Sequence, residues 1–216
     1  MARLKIDRDP KHPERTAIRH AANILKGGGI VVFPTETVYG LAANAFDRRA
    51  VKKIFKVKGR TEKKGLIILI DTKRDLLKIV REIPLSAKKL ISKFWPGPLT
   101  LIFKKNISVS RVLTGGKDTV AVRLSSHPVA RALTRAAGFP ITAPSANLSG
   151  RKSHRTMNGV RRELGNKKEI EFFLDGGRTP LGKASTIVDV TKNHPRILRK
   201  GAITKNDLKK YLPDIL

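Results

Sequence analysis

Helices and strands interleave along the chain, several strands follow one another with no helix between them, and the apolar runs are strand-sized. These observations predict an α+β fold, one mixed sheet covered by helices, rather than a purely parallel doubly wound sheet. A chain of 216 residues buries roughly 70% of its unfolded surface as one domain, so a single domain over 1–216 is expected to stand without disulfides or a structural metal.

Pro13 suits the first position of a helix running to about Lys26, with Ala17, Ile18, Ala21, Ile24 and Leu25 on one face and Gly27 to Gly29 stopping it. A buried strand follows at Ile30 to Phe33. Asp47 can cap a second helix that carries Val51, Ile54 and Phe55 and ends near Gly59, ahead of an apolar strand at Leu66 to Ile70. Helices are expected at Thr72 to Glu82 and Ser86 to Phe94, the second stopped by Pro96-Gly97-Pro98 before a strand at Leu99 to Lys104. Lys104 and Lys105, at the end of that strand, are expected to be exposed. Thr119 to Leu124 reads as strand, and His127-Pro128 opens a helix that Gly138 closes. A short strand at Pro140 to Ala143 and a helix near Thr156 to Leu164 come next. Ile170 to Leu174, Ser185 to Val190 and Arg196 to Arg199 are strand-like, and Asn206 to Leu212 is a short closing helix. The sequence has no internal repeat, low-complexity tract or linker.

Composition excludes some chemistry and points toward other chemistry. With no cysteine, disulfides, zinc-thiolate sites and cysteine nucleophiles are ruled out. The first residues lack an apolar signal region and the apolar stretches are too short to span a bilayer, so a soluble, cytoplasmic protein is expected. Charge is the outlier: 46 Lys and Arg against 17 Asp and Glu give +29, more than solubility requires. Between Ile83 and Arg162, 15 Lys and Arg meet a single acid, Asp118, a net charge of +14. Such an excess fits either a face for a polyanion such as RNA or a uniformly basic, solvated surface.

The segment Gly177 to Ala184 comes within one residue of a phosphate-loop pattern. It fails because Ala184 has no hydroxyl for a metal and the β-branched run after it is strand sequence, whereas a phosphate loop opens a helix. There is no GxGxxG, no HExxH, and the five histidines lack metal-ligand spacing. Three other segments gather polar groups at element ends. Pro34-Thr35-Glu36-Thr37-Val38-Tyr39-Gly40 follows a strand and can be a capped turn or a ligand loop. Lys58-Gly59-Arg60 places cations at a helix end, where they also offset the helix dipole. Pro144 to Gly150, with Ser145 and Asn147, can form an Asx turn or hold phosphate oxygens. Strand alternation puts Ala121 and Arg123 on one face, and an inward arginine needs an anion.

Seven segments in this order, GIVVFPTETVYGLAANAFD, KGR, WPGPLT, VAVRLSSHP, ITAPSANLSG, ASTIVDVT and ILRKGAI, resemble the YrdC-like threonylcarbamoyl-AMP synthase family over about Gly28 to Ile203. The resemblance implies a twisted mixed sheet with a concave basic cavity that joins L-threonine, bicarbonate and ATP into threonylcarbamoyl-AMP and pyrophosphate, for threonylcarbamoyladenosine modification of tRNA. Carried over by motif, the catalytic set is Lys58, Arg60, Ser145 and Asn147 at the phosphate end of ATP. Lys64, Thr119, Ser185 and Arg199 complete the ATP site, while Thr35, Arg123 and the backbone at Ala143 hold threonine. No protein metal ligand is implied, and Mg2+ is expected to arrive on ATP. Implied partners are tRNA or double-stranded RNA and downstream threonylcarbamoyl transferase proteins. An RNA-binding paralogue with little synthase activity is the alternative, and a related carbamoyl or acyl adenylate is a third reading. Gly65 and Leu69 depart from the family, which has proline and, in its long form, often histidine there. Both are expected beside the substrate pocket. The chain is expected to be the short form, without the linker and second domain of the long one.

Overall fold

The computed structural model describes residues 15–216. Helices are α1 (Arg15–Lys26), α2 (Arg48–Lys58), α3 (Leu85–Phe94), α4 (Arg111–Thr114), α5 (Pro128–Ala137), α6 (Met157–Leu164) and α7 (Lys205–Lys209). Strands are β1 (Ile30–Phe33), β2 (Gly40–Ala42), β3 (Ile67–Leu69), β4 (Leu99–Lys104), β5 (Thr119–Arg123), β6 (Ile141–Thr142), β7 (Ile170–Phe173), β8 (Thr186–Asp189) and β9 (Arg196–Arg199). The architecture is α+β with mixed pairing. The expected helix start at Pro13 lies outside the described residues.

The strands divide into two sheets, where the sequence predicts one. A three-stranded sheet runs β2-β1-β7 and a six-stranded sheet runs β6-β3-β5-β4-β8-β9. The reason lies at the seam between β2 and β6. Thr142 Oγ1 donates to Leu41 O and accepts from Ala43 N, while Thr142 N donates to Ala43 O, so a hydroxyl is interposed in the main-chain pairing there. Main-chain bonds still cross on either side, among them Leu41 N to Pro144 O and Ala45 N to Pro140 O, but they form the isolated bridges Gly40 with Ser145 and Asn44 with Ile141 rather than a continuous ladder.

β1 is buried along its whole length, which accounts for its unbroken apolar run. Val31 and Phe33 pack under α1 and α5, while Ile30 and Val32 join the larger core that holds Tyr39, Phe55, Trp95 and Phe103. The alternation follows from the period of two in a strand.

Three local expectations differ. The helix from 72 to 82 is a shorter 3-10 turn, Lys73–Lys78. Thr72 and Asp75 box its start, but Arg81 N is drawn to Lys104 O and Val80 bridges Lys105, so the chain leaves the helix for the end of β4. β2 and the one-turn α4, capped by Ser110 and closed by Gly115 at φ 66°, are too short to show in hydrophobic periodicity. Lys105 is buried rather than exposed, its Nζ donating to Val109 O at 3.0 Å, whereas Lys104 is exposed beside Glu82.

Candidate active site

The end of α2 sets the site's geometry. Asp47 caps the helix by accepting from Arg49 N and Ala50 N, and Gly59 ends it in the left-handed region at φ 55°. The turn sends Lys58 and Arg60 to different places. Arg60 reaches a cavity of ≈ 240 Å³ that is also lined by Thr35, Thr119, Arg123, Ala143, Ser145, Ser185 and Arg199. Lys117 adds a fourth cation to the lining, and among the described residues no Asp or Glu lines it.

Arg123 sits at the back of this cavity. Its Nε donates to Gly97 O at 3.2 Å and Nη1 to Thr37 Oγ1 at 3.0 Å. Nη2 meets Glu36 Oε1 at 2.8 Å, an ionic contact off the N–H axis that leaves its N–H groups without an aligned acceptor. Glu36 in turn accepts from Ser125 Oγ and Ser126 N. Burial alone would raise the Glu36 carboxyl, but Arg123 and Ser125 outweigh it and hold it below the ordinary carboxylate value. The anion required by an inward arginine is therefore supplied by the protein.

Thr35 closes its own turn, donating to Val38 O at 2.6 Å and accepting from the Thr37 and Val38 amides. The PTET segment is thus a capped turn and a cavity wall at once. Arg60 Nη2 donates to Gly65 O at 3.0 Å while its buried Nε has no acceptor. Arg199 clasps Ser185 through its carbonyl and hydroxyl, and Ser185 Oγ meets Thr100 Oγ1 at 2.8 Å. Desolvation, then the charges of Arg123 and Arg60, push the Arg199 guanidinium below the ordinary arginine value. Three guanidinium groups therefore act on one small volume, which favours an anion.

Lys58, Asn147 and Lys64 are not part of the cavity lining, contrary to what the family resemblance implies. Lys64 is exposed. Lys58 Nζ donates to Ser145 O, to Asn147 O at 2.7 Å and to Asn147 Oδ1 at 3.3 Å, and the Asn147 amide group donates to Leu148 O and Arg151 O. Both side chains hold the loop that presents Ser145. Burial and the Arg60 charge pull the Lys58 ammonium down to about 8.

Gly65 does line the cavity, but Leu69 is packed in the core beneath α1 and α5. Any Cβ at Gly65 would come within 2.8 Å of Thr114 O, so a side chain here requires the backbone to shift. Gly177 to Ala184 forms no helix. It is tied to the PTET turn by Thr179 Oγ1 to Thr37 O and Leu181 N to Glu36 O. Among the described residues no cluster of three or more His, Cys, Asp or Glu is placed to hold a metal, and the cavity offers hydroxyls and cations rather than carboxylates. The residues present do not fit a protein-held Mg2+. No described helix is long and apolar enough to cross a membrane. Sequence reasoning missed Glu36 as the partner of Arg123, and missed Thr37 and Lys117. For Lys117 the signal was available, since it lies two residues before Thr119 at the mouth of β5.

A mixed-sheet α+β scaffold thus gathers three guanidinium groups around a small cavity, a charge arrangement complementary to a small anion. The Sua5_yciO_yrdC family model, described as "Telomere recombination", matches residues 23–201, and the chain belongs to this family. It is 45% identical over 202 residues to a threonylcarbamoyl-AMP synthase of Pyrococcus abyssi, covering 94% of this chain and 59% of that protein. A Bacillus subtilis threonylcarbamoyl-AMP synthase is 43% identical, with 92% of this chain and 57% of that protein covered. The chain thus spans under two thirds of the length of these relatives. The structure of P. abyssi Sua5 complexed with L-threonine superposes with a TM-score of 0.91 at 43% identity, covering 95% of this chain and 60% of that one.

Proposed function

We propose that the protein is a nucleotidyltransferase, an L-threonylcarbamoyladenylate synthase acting in the cytoplasm on L-threonine, bicarbonate and ATP to supply tRNA threonylcarbamoyladenosine modification. The observation that carries this reading is Arg123, buried and paired with Glu36 in the wall of a cavity that Arg60 and Arg199 share. The names of the relatives and the threonine-bound neighbour support it.

In this reading Arg123 takes the threonine carboxylate, with Thr35 and the backbone at Ala143 holding the rest of the amino acid. The threonine amine attacks the bicarbonate carbon, forming an N–C bond with loss of water. A carbamate oxygen then attacks the α-phosphorus of ATP, and the bond to the β-phosphate oxygen breaks to release pyrophosphate. The enzyme supplies position and charge: Arg60 and Arg199 face the phosphates, Ser145 orients an oxygen, and Thr119 and Ser185 complete the nucleotide end. Lys58 and Asn147 act through the Ser145 loop. Mg2+ would enter on ATP, and no step here depends on it. The test is pyrophosphate release that requires threonine and bicarbonate together.

The charge of +29 favours a second property, contact with tRNA or double-stranded RNA, in keeping with hand-over to a downstream transferase. Steep salt dependence of tRNA binding supports it. Salt-independent or absent binding leaves the excess charge as a solvated surface.

A further inference from the structure

The peptide between Asn147 and Leu148 is gripped at both ends. Its carbonyl accepts from Lys58 Nζ at 2.7 Å, and its N–H donates to Glu163 Oε1, also at 2.7 Å. The second oxygen of Glu163 is engaged by His154 Nε2. The peptide between Ser145 and Ala146 is held likewise, its carbonyl on Lys58 Nζ and its N–H on Tyr39 O at 2.8 Å. With both planes fixed, Ser145 faces the cavity, and among the described residues neither its N–H nor its hydroxyl has a hydrogen-bond partner.

Glu163 is an unexpected residue at this point. It lies in the last turn of α6, where the helix dipole disfavours an anion, and it is one of 17 acids in a chain of net +29. Its side chain is 10% exposed, and the His154 ring beside it is accommodated by Gly159, where a Cβ would lie 2.8 Å from His154 Nδ1. Burial would raise the Glu163 carboxyl, but the Leu148 amide and His154 hold it below the ordinary value.

We propose that Glu163 is a positioning residue for the nucleotide end of the site. By fixing the Leu148 N–H opposite Lys58, it orients the free donors of Ser145 toward a phosphate. In the synthase reading the threonine carboxylate goes to Arg123, whose hydrogen-bond and ionic partners are Gly97, Thr37 and Glu36 rather than Lys58 or Glu163. The proposal rests on the synthase reading for the identity of the nucleotide, but not for the loop geometry.

The test compares Glu163→Ala and Glu163→Gln in the full chain, by calorimetric binding of ATP and of L-threonine and by amide hydrogen exchange over 145–149. The alanine variant should weaken ATP binding about tenfold or more, as loss of a charge-assisted hydrogen bond does. Threonine affinity should fall clearly less than ATP affinity, because its carboxylate partner Arg123 has no bond to the clamp. Exchange at Leu148 should accelerate, and the glutamine variant, which keeps a neutral acceptor, should recover most of the loss. Unchanged ATP affinity with accelerated Leu148 exchange overturns the proposal, as do equal losses for both ligands. If the alanine variant does not fold, Glu163→Asp, which withdraws the carboxylate by one methylene, carries the same comparison. Wild-type protein that binds ATP but releases no pyrophosphate counts against the synthase reading and leaves this comparison decisive for Glu163.

Discussion

The Arg123 guanidinium and the Glu36 carboxylate lie 2.8 Å apart with their side chains only 7% and 8% exposed, so the back of the cavity is a buried ion pair. Such a pair is worth little by itself, but removing one partner strands the other charge at a cost of about 3–5 kcal/mol. Arg123→Ala is therefore expected to destabilise the fold as well as weaken threonine binding, while ATP affinity falls less. Denaturant unfolding and separate titrations of the two substrates check this. Full stability in the variant, or equal losses for both substrates, contradicts it.

Glu36 gives the pair a pH signature. Its carboxyl is held below the ordinary value of 4.5, so the stabilisation is fully present above that pH and is lost as pH falls through the lower, folded-state value. Glu36→Gln should remove this part of the acid dependence. Thermal unfolding of both proteins between neutral pH and about pH 3 measures it, and parallel curves would count against the pair.

Lys58 behaves with opposite signs in stability and activity. Its pKa is lowered from 10.5 to about 8, so the cost of burying the charge is present below 8 and is relieved as pH rises toward 10.5. Activity should move the other way, because an amine with two N–H groups and a lone pair cannot satisfy three oxygen acceptors. Turnover is expected to decline on the alkaline side with an apparent pKa near 8. Activity that stays level to well above that pH would show that the ammonium form is not needed.

Arg60→Ala should lower turnover by about tenfold or more with little change in folding, since it removes a cation from the cavity wall. Lys58→Ala should lose stability too, because it frees the carbonyls of Ser145 and Asn147. Steady-state rates beside melting curves separate the two. Identical behaviour of the variants would contradict their different placements.

Gly65→Ala introduces a Cβ against the Thr114 carbonyl at 2.8 Å. Overpacking of this kind costs about 1–3 kcal/mol, and here it also displaces Gly65 O, the acceptor for Arg60. Reduced stability with reduced turnover is expected, read by melting and rate assays. An unperturbed variant would mean that the 63–65 loop relaxes freely.

Much of the fold was legible because hydrophobic period and punctuation residues are local. β1, β4 and β9 have the bounds their apolar and β-branched runs predict, and Asp47, Gly59 and Gly138 mark helix ends as expected. What was not legible depends on distant partners. Where the two sheets meet, the Thr142 hydroxyl is interposed in the backbone pairing between residues 41–43 and 142. At the site, motif order singled out Arg60, Arg123, Ser145 and Arg199 from distant segments, and these four line one cavity. It could not show that Lys58 points behind the loop, nor that Glu36 and Glu163, 87 and 15 residues from Arg123 and Leu148, are the anions that fix them.

The central claim is the reaction itself. Pyrophosphate release should be followed with purified protein, ATP and Mg2+, with threonine and bicarbonate supplied together and singly, and with isotopic carbon in the bicarbonate. Release is predicted only when both are present, with labelled carbon appearing in an adenylate in equal amount to pyrophosphate. Release from ATP regardless of threonine or bicarbonate, or none with all substrates supplied to a protein that binds them, would contradict the account.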